Sequence, residues 1–170
     1  MTRLSATSPV RAFMNSSDRD KDTPSRNVPA AQQMARRLIK SHRSERTEGQ
    51  TAARAAATAC DDLYQELSRW VGPDGCHALF TRALAEARID HPALEQIHLH
   101  ARSDPYVDGV AETIMAHGDP ATAAALEAML VHLIELLGRL IGDDMAMKLI
   151  ERSVAASERG EPTSDQREEA

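Results

Sequence analysis

The segment from Ala123 to Ile141 is the most apolar stretch of the chain, and its apolar residues recur with the period of an α-helix. They are Leu126, Met129, Leu130, Leu133, Ile134, Leu136, Leu137, Leu140 and Ile141. This set covers well over half of the helix circumference, so the helix must be buried either among several neighbours or against a partner. Charged residues interrupt the stretch, which is therefore too polar for a membrane span of roughly 20 consecutive apolar residues.

The residues available for a core favour helices over sheets. Only 3% of the chain is aromatic although 42% is hydrophobic, so Ala, Leu, Ile and Met must supply most of the core. Strands favour aromatic and β-branched residues, whereas Ala, Leu and Met favour helices. A chain of 170 residues has the size of a single domain. We therefore predict an all-α fold, a compact bundle of about five helices.

Apolar spacing predicts two helices that precede the long apolar segment. The first covers residues 51–72, and the second covers residues 73–90, because the residue before Pro92 avoids the helical region. Gly72 suits the end of the first helix, and Pro73 suits the first turn of the second. The apolar face of the first helix is formed by Ala56, Cys60, Leu63, Leu67 and Trp70.

The segment after the second helix is less regular. Residues 92–100 are compatible with a helical turn and with a short strand, and we predict a helical turn followed by an extended connection. The Asp-Pro pair at 104–105 is typical of a helix start. A helix that carries Val107 in its apolar stripe is therefore expected from there to about Gly118. A final amphipathic helix reaches Val154.

The formal net charge of −6 is divided between two parts of opposite sign. Residues 1–50 contain ten Lys and Arg against five Asp and Glu, whereas residues 51–170 contain ten against 21. Polar composition at both ends indicates segments that cannot offset their ordering entropy by burial. The predicted organisation is a disordered segment at 1–28, a basic helical arm at 29–50, a helical bundle at 51–156 and a disordered acidic tail at 157–170.

The basic charge of the arm lies in a short segment of helix-forming composition. Its cations are Arg36, Arg37, Lys40 and Arg43. A solvated helix without a partner is one interpretation of these cations; as a binding element, we predict that they bind a protein partner, either an acidic protein or the acidic body of a second copy. A nucleic acid is the alternative partner, although the arm has no aromatic residue for base stacking and the acidic body would repel phosphates.

Histidines offer the candidate enzymatic chemistry. His98 and His100 would point the same way from an extended segment and share a metal. His132 lies on the long helix, where a phosphotransfer histidine would need an exposed ring. The sequence contains no HExxH, CxxC, Walker A or nucleophile-elbow motif. We therefore predict no catalytic residue, cofactor or metal, and a small metal-dependent or phosphotransfer enzyme is kept as the alternative.

Two segments carry a resemblance to known proteins. They are WVGPDGCHALFTRALAEARIDHPAL, residues 70–94, and LLGRLIGDDMAMKLIERS, residues 136–153. With these segments, the stretch from Leu63 to Arg152 resembles a group of small bacterial all-α proteins with no assigned function. The resemblance implies an all-α domain and a bacterial source, and it transfers no catalytic residue or ligand.

These observations favour a non-catalytic interaction or regulatory module in bacterial signalling, which associates with a second copy or another protein. Two cysteines are too few for a disulfide framework, and the N-terminus has no continuous apolar signal segment, so we expect a cytoplasmic protein. The predicted association surface on helix 120–141 is formed by Met129, Leu133, Leu136, Leu137 and Leu140. The same face is equally consistent with the core of a single chain, and both interpretations stay open.

Overall fold

The computed structural model describes residues 29–45, 50–101 and 103–158, and it confirms the all-α prediction. The helices of this part of the chain are α1 (Ala30–Glu45), α2 (Ala52–Val71), α3 (Pro73–Arg88), α4 (Val110–His117), α5 (Asp119–Ile141) and α6 (Asp143–Glu158). The segment 1–28, predicted to be disordered, lies outside the described residues. The predicted tail begins within α6, and the remainder of it, 159–170, also lies outside them.

Helix α5 is the centre of the bundle, because each of the other five helices packs against it. Its side chains at Leu126, Met129, Leu130, Leu133 and Leu137 are all less than 2% exposed. The wide apolar stripe of this helix is therefore buried by its neighbours within one chain. Among the described residues, no helix combines the length and the apolar character needed to cross a bilayer.

The beginnings of α2 and α5 are joined by hydrogen bonds. The carboxylate of Asp119 accepts from the backbone N–H groups of Ala52 and Ala53, at 3.1 and 2.9 Å. Thr51 caps the same helix end by accepting from the N–H of Arg54. Because α2 and α5 pack together, start together and have similar lengths, both helices end at the opposite end of the bundle.

Helix α1 is part of the bundle and not an arm outside it. The structure places Met34, Ala35 and Leu38 in the common core, where α1 packs against α2, α5 and α6. The buried His42 ring fastens α1 to α2, since its Nε2 lies 2.9 Å from Oδ2 of Asp62. The basic charge of α1 occupies one side of the helix, and the short apolar stripe on the other side is sufficient to dock it.

The connection between α3 and α4 holds the extended part of the fold. A short 3-10 helix at Pro92–Gln96 leads into strand β1 (His98–Leu99), which pairs antiparallel with strand β2 (Val107–Asp108). In this pairing Leu99 lies opposite Val107. The prediction of a helical turn followed by an extended connection is thereby confirmed.

The predicted start of the next helix is wrong, because α4 begins only at Val110. Val107 is held in extended backbone by β1 and by Asp61, whose Oδ1 accepts its N–H at 2.9 Å. Gly109 follows with φ of 83°, and a Cβ at this position would collide with the carbonyl group of Gln96. Tertiary contacts therefore override the local helix-start signal.

Candidate functional site

The four cations predicted to bind a partner lie on the outward side of α1. Arg36, Arg37, Lys40 and Arg43 are all exposed, and we call them the basic face. Arg36 pairs with Glu127 of α5, with Nε and Oε1 2.8 Å apart. The structure thus brings these four residues to one surface.

The apolar residues predicted as an association surface divide into core and surface. Met129, Leu133, Leu136 and Leu137 are buried within the single chain, which is the core interpretation that the sequence left open. Leu140 lies beyond the packed part of α5 and is 65% exposed. Of the five predicted residues, Leu140 alone is available to a partner.

Leu140 belongs to a larger group of exposed apolar side chains, which we call the apolar end. The group consists of Trp70 and Val71 of α2, Leu140 and Ile141 of α5, and Met145 of α6. The helices α2 and α5 end at this side of the bundle, and α6 begins there. Large exposed apolar patches on soluble domains commonly mark protein interaction sites.

The residue Trp70 is the largest side chain of the apolar end and is 62% exposed. The guanidinium carbon of Arg152 lies 5.6 Å from the centroid of its ring, within the range of a cation–π contact. A shallow groove of about 490 Å³ continues from Arg152 along α6, past Leu149, to Met145. The contact therefore links the last turn of α2 to the apolar surface of α6.

Charges of both signs surround the apolar end. Arg69 pairs with Glu66 on α2 at 3.0 Å, and Arg139 approaches Glu135 on α5 at 3.9 Å. The exposed charges of α6 on the same side are Asp143, Asp144, Lys148, Glu151 and Arg152. The rim is therefore mixed in sign, and it offers no broad surface of a single charge.

The histidines that the sequence grouped do not form one site. His98 is exposed on β1, and Nε2 of His100 lies 3.5 Å from Oδ2 of Asp108. In the described part of the chain, no group of three or more His, Cys, Asp and Glu side chains is placed to hold a metal ion. Of the two histidines, His100 therefore has a carboxylate neighbour at the surface.

A second concave surface lies over α5, between α1 and the turn that follows α3. This α5 groove has a volume of about 400 Å³ and an apolar floor of small side chains on α5, including Val131. Its polar lining residues are Gln32, Arg36, His91, Glu127 and His132. The sequence did not predict it, because its residues come from three elements that no sequence spacing connects.

The most buried aromatic cluster of the fold joins α2, α3 and the residue before β2. The Tyr64 and Tyr106 rings stack with centroids 3.8 Å apart, and the Phe80 ring meets both edge-on. The Tyr106 hydroxyl lies 3.2 Å from Nδ1 of His77. Burial raises the pKa of Tyr106, and the nearby Cys76 thiol adds to the effect. The phenol is therefore a structural group and not an acid or base near neutral pH.

Burial also raises the pKa of both thiols and of one carboxyl beside this cluster. It raises the pKa of Cys76 to about 12 and raises the pKa of Cys60 well above its usual value. Both side chains remain protonated thiols at neutral pH and are poor nucleophiles. Burial raises the pKa of Asp61 to about 6, against the opposing effect of the hydrogen bond from Val107. Asp61 is thus the carboxyl that titrates nearest to neutral pH among those with a resolved shift.

Comparison with known proteins adds no assignment: no family model, no curated protein and no solved structure matches the chain. The candidate functional surfaces of the described residues are the basic face, the apolar end and the α5 groove.

Proposed function

We propose that this protein is a non-catalytic interaction or regulatory module that associates through its apolar end. The observation that carries the proposal is the exposure of five large apolar side chains at the side of the bundle where α2 and α5 end. Two other large apolar residues, Ile89 and Met115, are exposed in other parts of the fold, each at 80%. They lie at the C-cap of α3 and on α4, and neither belongs to the apolar end.

The chemistry of the apolar end supports a protein partner. Interface residues that dominate binding energy are enriched in Trp and Arg, and here Arg152 already lies over the ring of Trp70. Each Å² of apolar surface that association buries contributes roughly 25 cal/mol to the binding free energy. Leu140 and Met145 supply part of that surface. The methionine side chain adapts readily to an irregular partner surface.

A second copy of the chain is the partner that we propose. An interface between two copies related by a two-fold axis uses the same patch twice, so the patch must be complementary to itself. The apolar end meets this requirement, because its centre is apolar and its rim carries charges of both signs. Asp143 and Asp144 of one copy offer partners for Arg139 and Lys148 of the other.

A fluorescence experiment tests the proposal, because Trp70 is the single tryptophan of the chain. Over a concentration series of the full chain, we expect its emission to shift to shorter wavelength as the ring loses contact with water. The shift should follow the rise in molecular mass measured by light scattering. Emission that stays independent of concentration, with a monomer mass throughout, would contradict self-association.

The basic face favours a second candidate function, binding to a nucleic acid. All four of its cations are exposed on one helix. Contacts from these side chains to phosphates would make affinity fall steeply with salt, by about one power of the salt concentration for each phosphate contacted. Retention of the full chain on a DNA column between 50 and 200 mM salt, compared with Arg37→Glu/Lys40→Glu, distinguishes the two functions. Retention that is absent, or that is equal for both proteins, removes the nucleic-acid candidate.

A further inference from the structure

The α5 groove is a concave site of small-molecule size that the proposed association does not use. Its volume of about 400 Å³ lies within the range of ordinary ligand sites, roughly 300–1,000 Å³. It is bordered by α1, by the turn after α3 and by α5, whereas the apolar end lies where α2 and α5 finish. The two surfaces can therefore be tested independently.

The groove brings together one guanidinium group and two imidazole rings from three different elements. Arg36 reaches it from α1 and contacts Glu127 through Nε, so the terminal amino groups of the guanidinium are not used by that ion pair. His132 enters from α5 with Nδ1 3.7 Å from Oε2 of Glu86. His91 lines the groove from the turn after α3.

The two carboxylates near these donors are already engaged with cations. Glu127 accepts from Arg36 at 2.8 Å and from Gln32 at 3.4 Å. Glu86 is paired with Arg82 at 3.0 Å. The Arg36–Glu127 pair joins α1 to α5 at the groove, and both pairs reduce the negative charge that an incoming anion would meet.

The floor of the groove is apolar and is formed by short side chains. Ala124, Ala128 and Val131 line it along one side of α5, and the bulky core residues of this helix point away from it. An apolar floor with a few convergent polar groups is typical of a site for a small organic ligand.

We propose that the α5 groove binds a small amphipathic organic anion, a carboxylate or phosphate monoester on a short apolar body. The oxyanion contacts the terminal amino groups of Arg36 and receives hydrogen bonds from the imidazoles of His91 and His132. The apolar body lies on Ala128 and Val131. Recognition requires both parts, so neither an inorganic anion nor a neutral alcohol reproduces it.

Titration of the full chain with four probes tests this proposal. The probes are hexanoate, hexyl phosphate, inorganic phosphate and hexanol. The readouts are calorimetry and the NMR signals of the histidine rings. We expect saturable binding of hexanoate or hexyl phosphate, with shifts at His91 and His132, and affinity at least tenfold weaker for inorganic phosphate and hexanol. The relative affinities of hexanoate and hexyl phosphate show whether the groove prefers a carboxylate or a phosphate ester.

Arg36→Gln and Arg37→Gln are the matched variants, because both residues are exposed cations on α1 and only Arg36 lines the groove. Arg36→Gln should weaken binding of the preferred probe at least tenfold, whereas Arg37→Gln should change it less than twofold. Thermal melts confirm that both variants fold. Absence of saturable binding by both amphipathic probes overturns the proposal. Equal losses in the two variants, or equal affinity for inorganic phosphate, also overturn it.

Discussion

The guanidinium carbon of Arg152 lies 5.6 Å from the centroid of the Trp70 ring. This contact connects the last turn of α2 to α6 at the end of the bundle where apolar side chains are exposed. Both partners retain much of their contact with water, so the pair is available to a further surface. An aromatic ring with an arginine beside it is a common anchor of protein interfaces.

Removal of the Arg152 side chain should change the fluorescence of Trp70. An exposed cation–π contact is worth about 0.5–1 kcal/mol, so Arg152→Ala should lower the free energy of unfolding by that amount. It should also change the fluorescence of Trp70 in the monomer. Lys148→Ala is the matched control, because Lys148 is an exposed cation of the same groove without a contact to the ring. Equal spectra for wild type and Arg152→Ala would contradict the contact.

Truncation of Leu133 should lower the stability of the monomer, whereas truncation of Leu140 should weaken association. Leu133 is fully buried, so Leu133→Ala should cost about 2–5 kcal/mol in urea unfolding. Leu140 is 65% exposed, and Leu140→Ala should change monomer stability by less than about 0.5 kcal/mol while weakening association. A large loss of monomer stability in Leu140→Ala would place that residue in the core.

Asp119 should stabilise the first turn of α2 from a different helix. Removal of its carboxylate leaves the N–H groups of Ala52 and Ala53 without their acceptor, and Asp119→Ala should cost about 1–2 kcal/mol. Partial burial of the carboxyl would raise its pKa, but these hydrogen bonds lower it below the usual value. The contribution is therefore present at neutral pH and is lost as the pH falls. Asp90→Ala, at an exposed position, is the control in the same unfolding assay.

Asp61 should give stability the opposite dependence on pH. Its pKa is raised from 3.8 to about 6, so the folded chain keeps this proton at a pH where the unfolded chain has lost it. Its contribution is fully present below about pH 4 and is lost as the pH rises to 6. Asp61→Asn keeps an acceptor for Val107, so it should unfold at higher denaturant than wild type at pH 7. The difference should disappear near pH 4.

A second substitution at this position separates charge from hydrogen bonding. Asp61→Ala removes the acceptor of the Val107 N–H and should destabilise the fold by about 1–3 kcal/mol. If Asp61→Asn is no more stable than wild type at pH 7, burial does not raise the pKa of Asp61 in the folded chain.

The sequence was sufficient for the class of the fold and for most of its helices. The apolar stripe around Leu133 covers well over half of the α5 circumference, which predicted burial by neighbours or by a partner, and the structure buries it within the bundle. Sequence patterns gave the wrong secondary structure where contacts between residues distant in sequence determine the backbone conformation. The pairing of Val107 with Asp61 is one such contact, because no local signal reports it.

The apolar end shows a different limit of periodicity. Trp70 continues the spacing of Leu63 and Leu67, and the pattern predicts that all three share a buried face. The structure exposes Trp70 because the last turn of α2 extends beyond the packed part of the bundle. Spacing gives the direction of a side chain around its helix, but it does not tell how far the neighbouring helices reach along it.

Sedimentation velocity of three proteins tests association through the apolar end. They are wild type, Leu140→Lys and Ile89→Lys. Both substitutions place a cation at an exposed apolar site near a helix C-terminus, where the helix dipole tolerates it. Only Leu140 belongs to the apolar end.

We predict that wild type and Ile89→Lys shift from monomer towards dimer as the concentration rises, and that Leu140→Lys stays a monomer. The concentration series should extend to about 1 mM, where even an association free energy near −4 kcal/mol is detected. A wild type that remains monomeric over the whole range would contradict association through the apolar end. Equal loss of association in Leu140→Lys and Ile89→Lys would contradict it as well.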